Sequence, residues 1–120
     1  DGAFSRIVSN SIVHHIPEPR DVFGEMLRVL ASGGIAFVRD LVRPPSEAEV
    51  ARLVTLYSGT APTDRAAALA FEHQRELFRA SLCAGLTVAE VEDLARAAGM
   101  AGASVAMTSD RHWTLVFRKP

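Results

Sequence analysis

Apolar and polar positions fall into alternating blocks along the chain. Residues 4–9 (Phe-Ser-Arg-Ile-Val-Ser) form a short, partly β-branched run stopped by Asn10, which predicts a strand buried on both faces or nearly so. After Pro17 and Pro19, the apolar positions Val22, Phe23, Met26, Leu27 and Leu30 recur at helical spacing, and Arg20, Asp21, Glu25 and Arg28 fill the polar arc. An amphipathic helix of about three turns follows from this pattern, with Gly33-Gly34 as its stop. Residues 35–42 then read as a second strand. Two strands joined by a helix make a βαβ unit, which sets the strands parallel with the helix on one sheet face.

Pro44-Pro45 breaks the chain, and Ser46-Glu47-Ala48-Glu49 has capping-box spacing for a helix that turns Val50, Leu53, Val54 and Tyr57 inward. Residues 63–83 form a longer helical pattern containing Leu69, Leu77, Phe78 and Leu82. Thr87-Val88-Ala89-Glu90 repeats the capping box and opens a last helix closed by Gly99. Residues 103–108 and 112–117 are strand-like runs separated by Ser109-Asp110-Arg111, short enough for an antiparallel hairpin. The order β-α-β-α-α-α-β-β implies an α/β layer with a mostly parallel sheet and one reversed strand near its edge.

Composition narrows the class. With 120 residues, 48% of them apolar, the chain suits one domain with a continuous core. Its 13 Lys+Arg against 14 Asp+Glu, with no basic run, argue against a nucleic-acid footprint. No apolar stretch approaches the roughly 20 residues of a bilayer span, so no membrane is expected. Cys83 stands alone, which excludes an intramolecular disulfide and fits a cytoplasmic setting. The chain opens on Asp1-Gly2-Ala3-Phe4 and is apolar within three residues, as though entered in mid-fold.

In open α/β sheets ligands bind outside the carboxyl ends of the parallel strands. That rule selects three segments: Ser9 to His15 after the first strand, Arg39 to Arg43 at the end of the second, and Ser109 to His112 in the hairpin.

The residues on this rim carry a resemblance. Asp1-Gly2-Ala3-Phe4, then Val8-Ser9-Asn10-Ser11-Ile12-Val13-His14-His15-Ile16, then Arg28-Val29-Leu30-Ala31-Ser32-Gly33-Gly34 closely resembles the second half of class I S-adenosylmethionine-dependent methyltransferases. There a strand and a Leu-His-His-like segment precede a helix, the phrase Arg-Val-Leu-x-Pro-Gly-Gly and the next strand. The resemblance implies a Rossmann-like methyltransferase sheet, C-terminal part only, with parallel strands plus a final antiparallel hairpin strand. It also implies a partial domain over 1–120, with 43–86 a helical insertion or lid and 87–120 the terminal helix and β-hairpin. Ser32 replaces the family's Pro, and Ser5-Arg6 a common Asp-Leu pair. The family's Gly-rich cofactor loop and ribose-binding acid belong before Asp1 and occur nowhere in these residues. Gly33-Gly34 is no substitute, because it follows a helix and precedes a strand.

By this resemblance S-adenosyl-L-methionine is the cofactor. Ser9, Asn10 and Ser11 would border its methionine end, although short polar residues also cap strands and begin turns. His15 matches the position of a general base in some small-molecule methyltransferases, and the ordinary imidazole pKa of about 6.5 suits proton removal. His14, Asp40, Arg43, Asp110, Arg111 and His112 would line the acceptor side. Purely structural roles stand beside these. Either histidine could pack beneath the helical insertion, Asp40 could pair with Arg39, Arg43 or Arg111, and Asp110 could simply suit a turn. No metal site is expected, since no His pair has ligand spacing; Cys83 and Trp113 read as packing residues. Two functions follow: methyl transfer to a small-molecule acceptor as part of a larger catalytic domain, or a truncated or degenerate, non-catalytic module. The second would associate through its exposed sheet edge, covered by a second copy or by a missing N-terminal segment.

Overall fold

A computed structural model of the chain describes all 120 residues, Asp1–Pro120. The first strand, β1, runs Phe4–Asn10 and is followed by a single 3₁₀ turn at Val13–His15 and helix α1, Pro19–Val29. Strand β2 spans Leu30–Leu41, after which come α2 (Glu47–Ser58), α3 (Arg65–Ala84), α4 (Val88–Ala97), β3 (Ser104–Met107) and β4 (His112–Arg118). The sheet order is β1-β2-β4-β3. β1 and β2 are parallel, while β4 runs antiparallel to both β2 and β3. The βαβ unit and the closing hairpin therefore form as the periodicity predicts. The reversed strand lies between β2 and β3, so the edge on that side belongs to β3.

Capping explains where the helices begin. Ser46 accepts the Glu49 N–H, and Thr87 and Glu90 form a complete reciprocal box. At Ser46 the box is only half made, because the Glu49 carboxylate turns instead to Arg52. Asp64, not singled out by the pattern, caps α3 through the Ala67 N–H.

The Gly33-Gly34 pair does not end α1, contrary to the sequence expectation. The helix stops at Val29, and Leu30 is already extended. Gly33 has φ +74°, and a Cβ on Gly34 would meet the Ala31 oxygen and Leu30 Cδ1 at 2.8 Å. The pair instead shapes the irregular start of β2, where the register jumps from Phe4 opposite Leu30 to Arg6 opposite Ile35.

The core lies on one sheet face. Ala36 and Val38 of β2 and Trp113, Leu115 and Phe117 of β4 pack with Phe23 of α1, Val91 and Ala95 of α4, and Met100. A second cluster, Leu41, Val50, Leu53, Val54 and Leu82, holds the α2–α3 pair against the end of β2. The opposite sheet face is largely open: Val8 is 74% exposed, and its neighbours in register, Phe37 and Val116, are each 41% exposed. The radius of gyration, 16.8 Å, accordingly exceeds the about 14 Å of a compact chain of this length.

This corrects the expectation for β1, which is not buried on both faces. It has one neighbour and lies at the sheet edge. Tyr57, Leu69 and Leu77 likewise sit on exposed helix surface, and Cys83 is exposed, not packed. Trp113 is fully buried, its indole N–H donating to the Leu41 carbonyl at 3.1 Å.

Candidate functional site

The parallel pairing of β1 with β2 brings the chain after Asn10 beside the end of β2, and the Ser11 N–H donates to the Arg39 carbonyl at 2.9 Å. The hairpin turn joins them through the Val42 N–H, which donates to the Arg111 carbonyl at 2.9 Å. All three sequence-selected segments thus meet at one rim. Ser11 has φ +57°, the one non-glycine residue in the left-handed region. Strained backbone of this kind costs of order 1 kcal/mol or more and concentrates at functional sites.

Strand alternation divides the rim, because consecutive residues point to opposite faces. On the covered face Asp40, 1% exposed at its side chain, receives three bonds. The His14 backbone N–H donates to Oδ2 at 3.1 Å, His14 Nδ1 lies 2.6 Å from Oδ1, and the Leu41 N–H donates to Oδ1 at 2.7 Å. A carboxylate only accepts, so Nδ1 carries the proton, and a neutral imidazole held this way has its lone pair on Nε2. The His14 side chain is 5% exposed. No buried side-chain nitrogen lacks a partner, so Nε2, which bonds to no protein group, reaches solvent. Asp40 pairs with none of the arginines considered as partners from the sequence. Arg39 is on the other face, Arg43 donates to Glu90 and the Gly85 carbonyl, and Arg111 donates to Asp110. His15 is exposed, and its ring lies against that of His14 with centroids 3.9 Å apart.

On the open face Arg39 links two predicted site residues, donating to Asn10 Oδ1 at 3.5 Å and to His112 Nδ1 at 3.1 Å. Ser109 Oγ accepts the Arg111 and His112 backbone N–H groups and lies 2.8 Å from the same Nδ1. Because a guanidinium only donates, Nδ1 of His112 is an acceptor and this imidazole is neutral. Burial first, then the charges of Arg39 and Arg111, holds its pKa below the usual histidine value.

Asp110 and Arg111 form a third group with Tyr57 of α2. The Tyr57 hydroxyl donates to Asp110 Oδ2 at 2.5 Å, and the Arg111 guanidinium lies 3.7 Å over the Tyr57 ring. The Tyr57 hydrogen bond, with help from Arg111, depresses the Asp110 pKa and in turn raises that of Tyr57. Arg43 stands apart, tied to the first turn of α4 through Glu90 at 2.5 Å. That hydrogen bond comes first among the causes that lower the Glu90 pKa. Tyr57 and Arg39 were not among the candidate residues. Tyr57 looks like a core position of α2, and its partner lies 53 residues away, so no local spacing reports it.

Residues 1–38 match the sequence model of a family described as "Methyltransferase domain". No curated protein matches the chain. Among solved structures, a possible exported protein from Bordetella parapertussis is similar over 99% of this chain and 40% of its own, with 17% identity and a TM-score of 0.63. An arsenic(III) S-adenosylmethionine methyltransferase from Chlamydomonas reinhardtii is similar over 98% of this chain and 38% of its own, at 20% identity and a TM-score of 0.54. An O-methyltransferase family protein from Burkholderia thailandensis is similar over 98% and 31%, at 17% identity and a TM-score of 0.56. The chain therefore spans well under half the length of these three structures. Its fold is the Rossmann-like fold of methyltransferases. No helix is long and apolar enough to cross a membrane.

Proposed function

We propose that this chain with a methyltransferase fold forms the acceptor-side part of a catalytic domain that transfers a methyl group from S-adenosylmethionine to a small molecule. The observation that carries the reading is His14, fixed by the buried carboxylate of Asp40 at the carboxyl end of the β1–β2 pair. The rim fits one wall of the cofactor. Ser9, Asn10 and Ser11 end β1 in small polar groups suited to its methionine end, while no strand-to-helix glycine loop exists among these residues to cradle the rest. That loop would come from outside the 120 residues.

When bound, S-adenosylmethionine supplies an electrophilic methyl group and leaves as the thioether. The chain's part is alignment and proton handling. Of the two adjacent imidazoles the geometry favours His14 over His15 as the base. Asp40 holds the His14 Nδ1 proton, leaving Nε2 to take a proton from an acceptor hydroxyl or amine, whereas His15 is exposed and oriented only by its neighbour's ring. Asp110, Arg111 and His112 would orient the acceptor from the hairpin side, and Arg43 would brace α4. The α2–α3 pair, packed on the Val13–His15 turn through α3, would exclude water.

Calorimetric titration of S-adenosylmethionine into the 120-residue chain and into the longest open-reading-frame product containing it tests the reading. Binding by the longer product, weaker but still present in the short one, supports it; no binding by either refutes it. In that product His14→Ala should slow transfer by about 10²-fold or more with cofactor affinity kept, and His15→Ala should slow it far less.

A second reading rests on the exposed β1 edge and its open face at Val8, Phe37 and Val116. A non-catalytic module would self-associate there. Sedimentation of the chain and of Val8→Lys tests this: a dimer that Val8→Lys dissociates favours association, and a monomer in both cases removes it.

A further inference from the structure

Helices α2 and α3 and the β3–β4 turn line a partly open cavity of about 420 Å³, within the size range of small-molecule sites. Three rings line it, Tyr57, Phe71 and Phe78, together with Gln74, Arg75 and Arg111. No carboxylate lines the wall, so its fixed charge is two guanidinium groups. Arg111 spends one N–H on Asp110 at 2.9 Å and sits over the Tyr57 ring, and its other side-chain donors make no bond to the protein. Arg75 is freer. It lies 5.6 Å from the centre of the Phe71 ring, and its nearest carboxylate, Glu72, is 4.0 Å away, too far for a hydrogen bond.

We propose that this cavity binds a small aromatic carboxylate, the ring among Tyr57, Phe71 and Phe78 and the carboxylate between Arg75 and Arg111. Arg111 is paired with Asp110, so the charge an anion meets on this wall comes chiefly from Arg75, with the unused donors of Arg111 beside it. The planar guanidinium fork matches a carboxylate with two parallel N–H···O bonds, and flat apolar walls favour a ring over an aliphatic acid. The cavity wall is joined to the rim, since the backbone of Arg111 holds Val42 at the end of β2 and His112 is its chain neighbour. That this ligand is the methyl acceptor rests on the methyl-transfer reading above; that the cavity takes an aromatic anion does not.

The test is titration of the 120-residue chain, without cofactor, by 4-hydroxybenzoate, followed through the arginine Nε–H signals in NMR spectra. The Arg75 and Arg111 signals should shift, and 4-hydroxybenzamide, which keeps the ring, and acetate, which keeps the charge, should each bind at least about tenfold more weakly. Arg75→Gln should weaken 4-hydroxybenzoate by about tenfold, and Arg75→Lys, with charge but no fork, by less. Equal affinity for the benzamide, or no shift of either arginine at about 10 mM probe, overturns the proposal. Neither result bears on cofactor binding at the β1 rim, which is read separately with S-adenosylhomocysteine.

Discussion

Asp40 holds His14 from 26 residues away, taking the imidazole at 2.6 Å and the backbone N–H of the same residue at 3.1 Å. With the Leu41 N–H as third donor, the buried carboxylate has no spare role. Asp40→Asn keeps the shape but turns an amide donor toward groups that already donate. The expected loss of stability is about 1–3 kcal/mol, read from the urea midpoint, and His14 should lose its fixed tautomer in ¹⁵N NMR spectra. An unchanged midpoint would mean that the pair contributes nothing.

His112 sets a pH dependence. Its folded pKa lies below the ordinary 6.5 because of burial, Arg39 and Arg111, with Asp40 and Asp110 pulling weakly the other way. The unfolded imidazole therefore takes a proton that the folded one refuses. Stability should be full above about pH 6.5 and decline as pH falls from there through the lower folded value. His112→Gln should flatten that region of the stability profile. The depressed carboxylates Asp110 and Glu90 act in the same direction at lower pH, below their ordinary values of 3.8 and 4.5.

Gly85 lets the end of α3 approach the rim, and a Cβ there would meet the Leu41 oxygen at 2.6 Å and the Arg43 nitrogen at 2.8 Å. Both contacts are backbone, so Gly85→Ala should cost about 1–3 kcal/mol. Gly24, inside α1 with open space around it, should behave oppositely, Gly24→Ala gaining about 0.5–1 kcal/mol. Thermal unfolding of both variants checks the contrast.

The sequence made the βαβ unit, the Thr87 cap and the hairpin legible because each depends on local periodicity or on side chains a few residues apart. Burial of β1 was misjudged because an apolar run does not reveal how many neighbours a strand has. Gly33-Gly34 looked like a helix stop because glycine marks positive φ without saying which element requires it. That the three rim segments meet followed from topology alone. Their internal pairing was not legible, since Asp40 with His14, Arg39 with His112 and Tyr57 with Asp110 depend on which face each strand residue takes.

The central claim is that the end of β1 forms one wall of a cofactor site. Its most direct test is an NMR titration of the 120-residue chain with S-adenosylhomocysteine at millimolar concentration. The account predicts the largest amide shifts at Ser9, Asn10 and Ser11, with smaller ones at Arg39 and Asp40. Shifts centred on the opposite end of the strands, at Phe4, Gly33 and Lys119, or none at all, would contradict it.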